Sequence, residues 1–197
     1  ENELKGSGIV LCKIGEPECD TIEAFLEKEL PENGVIGFDG RTVGIGEGKH
    51  YEDLAALKNG TVSCEIDLVG RIWENRPRMP EEKAFALDEK YTGESAASKL
   101  GRVRGKMEEL GADVHLLTSL DDIAWLLNIR GNDIAYCPLV LSYLILYMDR
   151  GILFAEEKKF SSEMKAALAG NGIRIRPYDE IDEAVSALST PSCILLD

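Results

Sequence analysis

LDDIAWLLNIRGNDIAY, residues 120–136, is the stretch around which the rest of the chain arranges itself. It opens as a compact apolar helical turn, Ile123, Ala124, Trp125, Leu126 and Leu127. It breaks at Asn128 and places one cation, Arg130, beside Gly131 ahead of an acidic and aromatic loop. Ser119 or Asp121 can cap the helix, since a short oxygen-bearing side chain accepts from the free N–H groups of the first turn. Upstream, residues 114–118 form a run of buried-strand type; downstream, residues 138–148 are the most hydrophobic stretch of the sequence. Asp149, Arg150 and Gly151 supply a turn, so residues 141–155 read as a β-hairpin. A strand, a helix and a hairpin in that order predict an α/β domain with a mixed sheet.

The alternation continues on both sides. Towards the C-terminus, Ser161 or Ser162 caps a helix that Gly170 to Gly172 ends, and residues 173–177 form a strand. Residues 179–188 then form a last helix with Ile181, Val185 and Leu188 inward, and residues 193–196 a last strand. Towards the N-terminus, residues 95–110 form an amphipathic helix with Leu100, Val103, Met107 and Leu110 on one stripe, and residues 84–87 a short strand. Before these stands NRPRMPEE, with two prolines, four charges and no periodicity. It reads as a linker over 76–82, separating a domain at 83–197 from a first part at 1–75. That first part predicts strands over 7–14, 35–38 and 61–66. Its helices are a capped one from Thr21, with Ile22, Phe25, Leu26 and Leu30 on one face, one over 46–58 with Leu54, Ala55 and Leu57 inward, and a short one over 68–73.

With 44% hydrophobic and 29% charged residues the composition is globular. A formal net charge of -14 repels phosphate backbones and anionic lipid, which argues against nucleic acid and membrane surfaces as partners. Five scattered cysteines without a CxxC pair point to reduced thiols in the cytoplasm. The chain opens ENELKGSG, with neither a basic and apolar leader nor an initiator methionine, and reads as a piece of something longer.

Candidate chemistry is sparse. Neither His50 nor His115 has a second histidine or a cysteine at metal-ligand spacing. The glycine-rich run from Gly44 to Lys49 lacks the glycine and the hydroxyl that a phosphate loop needs, and reads as the entry to a helix. Asp121 and Asp122, adjacent on a helix, point about 100° apart and suit the macrodipole better than a shared proton. Cys137 has no histidine at hand to activate it. By its residues the chain reads as non-catalytic, with no catalytic residue and no metal ligand. Arg130 stands apart. It either pairs with Asp133 or Asp122 and serves structure, or points outward to a carboxylate or carbonyl, which its planar fork suits.

TSLDDIAWLLNIRGNDIAYCPLVLSYLILYMD resembles the middle domain of the three-domain Xaa-Pro aminopeptidases (aminopeptidase P), whose segment reads much like LDDIAWLLNLRGSDI..NPVFLSY. IGFDGRTV, DLVGRIWENRPRMP, YTGESAASKLGRVRGKMEELGAD and RPYDEI keep the family's order, so the resemblance covers nearly the whole chain. The family commonly has Asn where Cys137 stands, and less glycine around Gly44 to Gly48.

The resemblance implies two creatinase-type, ribonuclease H-like N-terminal domains with mixed sheets, the first represented in part, ahead of a pita-bread catalytic domain outside this sequence. It implies removal of the residue preceding proline, by two divalent metal ions, usually manganese, held in that catalytic domain; no metal ligand carries over to this chain. The partners implied are the chain's own catalytic domain, a proline-containing peptide at the domain interface, and a homo-oligomer. Arg130 and Asp133 are where a substrate-entrance rim is expected by the same similarity. A stand-alone binding or interaction module that has lost its catalytic partner is the alternative.

Overall fold

Thr21 starts the first α-helix, α1 (Ile22–Glu29), by accepting a hydrogen bond from the Ala24 N–H. The computed structural model describes residues 2–17, 19–188 and 193–196, which fall into two units, residues 1–77 and 78–197. In the first, β1 (Val35–Gly37), α2 (Ile45–Ala56) and β2 (Thr61–Ser63) form a parallel β–α–β crossover, with Val35 opposite Thr61. Its core is Ile36, Leu54 and Ala55, with Leu26, Leu30, Phe38, Tyr51 and Val62 packed around them. Gly60 permits the tight return from α2 into β2, because a Cβ there would lie 2.4 Å from the Gly34 carbonyl oxygen. The short helix α3 (Leu68–Ile72) is capped by Asp67, which accepts from the Gly70 N–H at 2.6 Å and also binds Arg76.

The second unit opens with β3 (Phe85–Ala86) and the single turn α4 (Glu89–Thr92), then α5 (Ala96–Glu109), β4 (Val114–Leu117), α6 (Leu120–Leu127) and β5 (Ile129–Arg130). The hairpin β6 (Tyr143–Tyr147) and β7 (Gly151–Phe154) follows, and then α7 (Ser162–Gly170), β8 (Ile173–Arg176), α8 (Ile181–Ser186) and β9 (Ile194–Leu196). Five strands make one sheet in the order β8-β7-β6-β4-β9. The inner pairs β7–β6 and β6–β4 are antiparallel and the outer pairs β8–β7 and β4–β9 parallel, so the sheet is mixed.

Alternation along the strands divides the core. Leu117, Leu144, Leu146 and Leu153 face Leu100 and Met107 of α5, Ile123, Leu126 and Leu127 of α6, and Met164 and Leu168 of α7. Val114, Ile145 and Phe154 face the other way, towards Ala184 and Ile181 of α8. Because both faces are covered, Leu144, Ile145 and Leu146 are all at 0% exposure. That is why this strand reads as an unbroken apolar run.

Several expectations need correction. The alternating segment 7–14 forms no strand: Ile9, Val10, Leu11 and Ile14 are exposed, and no ladder partner meets them among the described residues. Leu57 and Leu110 follow the last turns of their helices and are exposed, as is Val185. Helical periodicity assigned them inward, but each helix ends or turns away before the core reaches them.

Candidate functional site at the β5 turn

The turn after α6 is built from buried polar groups. Ser119 caps the helix, accepting from the Asp122 N–H at 3.4 Å. The helix stops at Asn128, which adopts the left-handed conformation (φ 52°), a region asparagine tolerates better than most residues. Its buried side chain is satisfied at both ends: Oδ1 accepts from Lys99 Nζ at 2.7 Å, and Nδ2 donates to the Glu94 carbonyl at 2.9 Å. Lys99 is 1% exposed. Its ammonium also donates to the Trp125 carbonyl at 2.8 Å and lies 4.7 Å from the Trp125 ring centroid. A cation thus takes up a terminal carbonyl at the negative end of the α6 dipole. Burial pushes the Lys99 pKa below its ordinary value, and the nearby Glu94 charge opposes that shift. Glu94 accepts from Arg102 Nε at 3.0 Å, from Arg102 Nη2 at 2.7 Å and from Ser98 Oγ at 2.7 Å. The Arg102 guanidinium and then the Ser98 hydroxyl hold its carboxyl at about 2.

β5 pairs antiparallel with β3, Phe85 opposite Arg130 and Ala86 opposite Ile129. Arg130 is half-buried, and its Nη1 donates to the Ala124 carbonyl at 2.6 Å and the Ile129 carbonyl at 2.8 Å. Gly131 lets the chain press against the segment returning to β6: a Cβ there would meet Val140 Cγ2 at 2.7 Å and the Leu139 carbonyl oxygen at 3.1 Å. Asp133 turns its carboxylate inward. Oδ2 accepts from the Leu141 N–H at 2.7 Å and from Lys159 Nζ at 2.5 Å, while Oδ1 is buried without a hydrogen-bond partner among the described residues. Beyond Asp133, residues 134–138 (IAYCP) are exposed and uncharged. A bridge from Ile134 to Cys137 closes this tip, and at its apex Tyr136 holds φ 65° with its side chain wholly in solvent.

Arg130 and Asp133 therefore share one turn, yet their polar groups take different partners: Arg130 the carbonyls of Ala124 in α6 and Ile129 in β5, Asp133 the ammonium of Lys159 and the Leu141 N–H. His50 is exposed on α2 and His115 half-buried in β4. No group of three or more His, Cys, Asp or Glu side chains among the described residues is placed to hold a metal ion. No helix among them is long and apolar enough to cross a membrane. The sequence reading passed over Lys99, Lys159, Glu94 and Tyr136. One signal for Lys99 was present: it shares the i, i+4, i+8 stripe of α5 with Val103 and Met107, although a lysine is ordinarily assigned to water.

A mixed five-stranded sheet with helices on both faces defines an α/β domain, and the buttressed turn lies within it. Residues 75–197 match the model of the Creatinase/Prolidase N-terminal domain, and the chain belongs to that family. It is 34% identical to an Xaa-Pro aminopeptidase of Caenorhabditis elegans over 94% of this chain and 30% of the relative. It is 31% identical to aminopeptidase P2 of Arabidopsis thaliana over 100% of this chain and 28% of that protein. The solved X-prolyl aminopeptidase from C. elegans, described as a cytosolic enzyme with a di-nuclear active site, superposes with a TM-score of 0.81 at 32% identity. That superposition covers 90% of this chain and 29% of the solved one. The chain thus spans somewhat under a third of the length of these relatives.

Proposed function

We propose that this chain is the non-catalytic N-terminal region of a cytoplasmic Xaa-Pro aminopeptidase, which removes the residue preceding proline. Its work is to shape access to the active site and to contribute subunit contacts. The observation that carries the reading is the shared fold with the C. elegans X-prolyl aminopeptidase along 90% of this chain, at a TM-score of 0.81. The partners are the protein's own catalytic domain, a proline-containing peptide at the interface with it, and further copies of the enzyme. The two divalent metal ions, manganese by the resemblance, are those of the protein's catalytic domain. The turn carrying Arg130 and Asp133 is the substrate-entrance rim, with Asp133 anchoring it from below and the half-buried Arg130 at its edge.

The test uses the full-length protein that contains this chain, supplied with manganese and an Xaa-Pro tripeptide. Release of the first residue by the full-length protein, with none by residues 1–197 alone, is the expected result. Full-length protein without turnover would instead favour a stand-alone binding module. In Arg130→Ala, a raised KM or lowered kcat is expected; wild-type values for both would remove Arg130 from the rim.

A further inference from the structure

We propose that Cys12 and Cys19 form an oxidant-responsive thiol pair, which hydrogen peroxide joins into a reversible disulfide. This goes beyond the aminopeptidase reading and does not depend on it. Both thiols are free, and both line one cavity of the first unit, about 630 Å³ in volume. Cys12 is exposed there and Cys19 half-buried.

The local fold keeps the two together. One turn closes where the Glu16 N–H donates to the Lys13 carbonyl at 3.1 Å, with Gly15 supplying the positive φ of 95° at its third position. A second follows at once, the Cys19 N–H donating to the Glu16 carbonyl at 3.2 Å, with Pro17 at the position its fixed φ suits. Consecutive turns stop the chain from extending, so the thiols that flank them stay on one cavity.

A disulfide needs the two Cα atoms at about 4.4–6.8 Å. Residues 5–17 are all exposed and belong to no helix or strand, so drawing the sulfurs together disturbs no core packing. Leu11 and Ile14 of this segment line the cavity with Ile22, Phe25 and Leu26 of α1. The bond therefore draws apolar surface together, and its removal from water favours the closed form.

Exposure sets the order of events. The Cys12 thiolate takes one oxygen from the peroxide, the O–O bond breaks, and a sulfenic acid and one water result. The Cys19 S–H, which donates to the Asp20 carbonyl at 3.7 Å, then loses its proton, and its sulfur attacks that of Cys12. The S–S bond forms, the S–O bond breaks and a second water leaves. In sum, two thiols give up two electrons and two protons, and the peroxide becomes two waters. A small thiol such as glutathione reverses the bond by exchange. In a reducing compartment such bonds are transient and redox-sensing.

The experiment treats the reduced full-length protein that contains this chain with hydrogen peroxide, blocks remaining thiols with iodoacetamide and maps tryptic peptides without reduction. Cleavage after Lys5, Lys13 and Lys28 puts the two cysteines on separate peptides, 6–13 and 14–28. We expect these to appear linked, with free Cys12 and Cys19 lost together, and to separate again with glutathione. Cys64, Cys137 and Cys193 should carry the alkyl label. Cys19→Ser should leave Cys12 as a sulfenic acid that dimedone labels, whereas Cys12→Ser should leave Cys19 alkylated. Cys12 and Cys19 both alkylated in the treated wild type, Cys12 carried to the sulfinic acid without a linked pair, or either one joined to a different cysteine overturns the proposal.

Discussion

Asp133 Oδ2 and Lys159 Nζ stand 2.5 Å apart with both side chains sealed from water, the lysine at 1% and the aspartate at 0% exposure. The pair ties the loop after β5 to the 3-10 turn Glu157–Lys159 that precedes α7. The Lys159 carbonyl also accepts from the Ala84 N–H at 3.0 Å, so the entry to β3 is fastened to the same turn.

Asp133→Asn keeps the size of the side chain but leaves the ammonium buried without its counter-charge. Breaking one half of such a pair costs about 3–5 kcal/mol, so the urea midpoint should fall well below wild type. The double variant Asp133→Leu with Lys159→Met removes both charges and should recover much of the loss. If the double variant is as unstable as the single, the pair is not what fastens the loop.

Glu94 makes stability depend on pH at the acid end. Its folded-state pKa of about 2 lies below the ordinary 4.5. A depressed carboxyl contributes stability that is full above about pH 4.5 and is lost as pH falls towards 2. Glu94→Gln should therefore lower stability at neutral pH and flatten the decline between pH 4.5 and 2, read from urea midpoints across that range. Parallel pH profiles for the two proteins would show that the Arg102 contact contributes nothing.

Tyr178 governs the alkaline end. Burial, and then the hydrogen bond to the Tyr143 hydroxyl at 3.2 Å, raise its phenol above the usual 10. The stability it confers is complete below about pH 10 and falls as pH climbs further, because the unfolded phenol ionises first. Tyr178→Phe loses one hydrogen bond, about 1 kcal/mol at neutral pH, and should show a shallower decline above pH 10. A wild-type decline no steeper than that of the variant would contradict this.

The elements legible in the sequence are those whose signal is local. The stripe of Leu100, Val103 and Met107 gave α5, and the run through Leu144, Ile145 and Leu146 gave a doubly covered strand. The pairing of β5 with β3 escaped notice because a two-residue ladder has no periodicity of its own; only its distant partner makes it a strand. The segment 7–14 failed for the converse reason, since alternation without a partner makes no ladder. At the turn, Arg130 and Asp133 stood out as charges in an apolar setting. What Asp133 does depends on Lys159, 26 residues further on, and no spacing rule links the two.

The chain's two tryptophans fall one to each unit, Trp73 in residues 1–77 and Trp125 in residues 78–197. Each has a cation over its ring, Arg76 at 5.8 Å from Trp73 and Lys99 at 4.7 Å from Trp125. The intrinsic fluorescence of this chain is thus a two-channel signal. With either indole replaced, the other reports on its own unit alone, and the independence or coupling of their unfolding becomes an optical measurement that needs no added label.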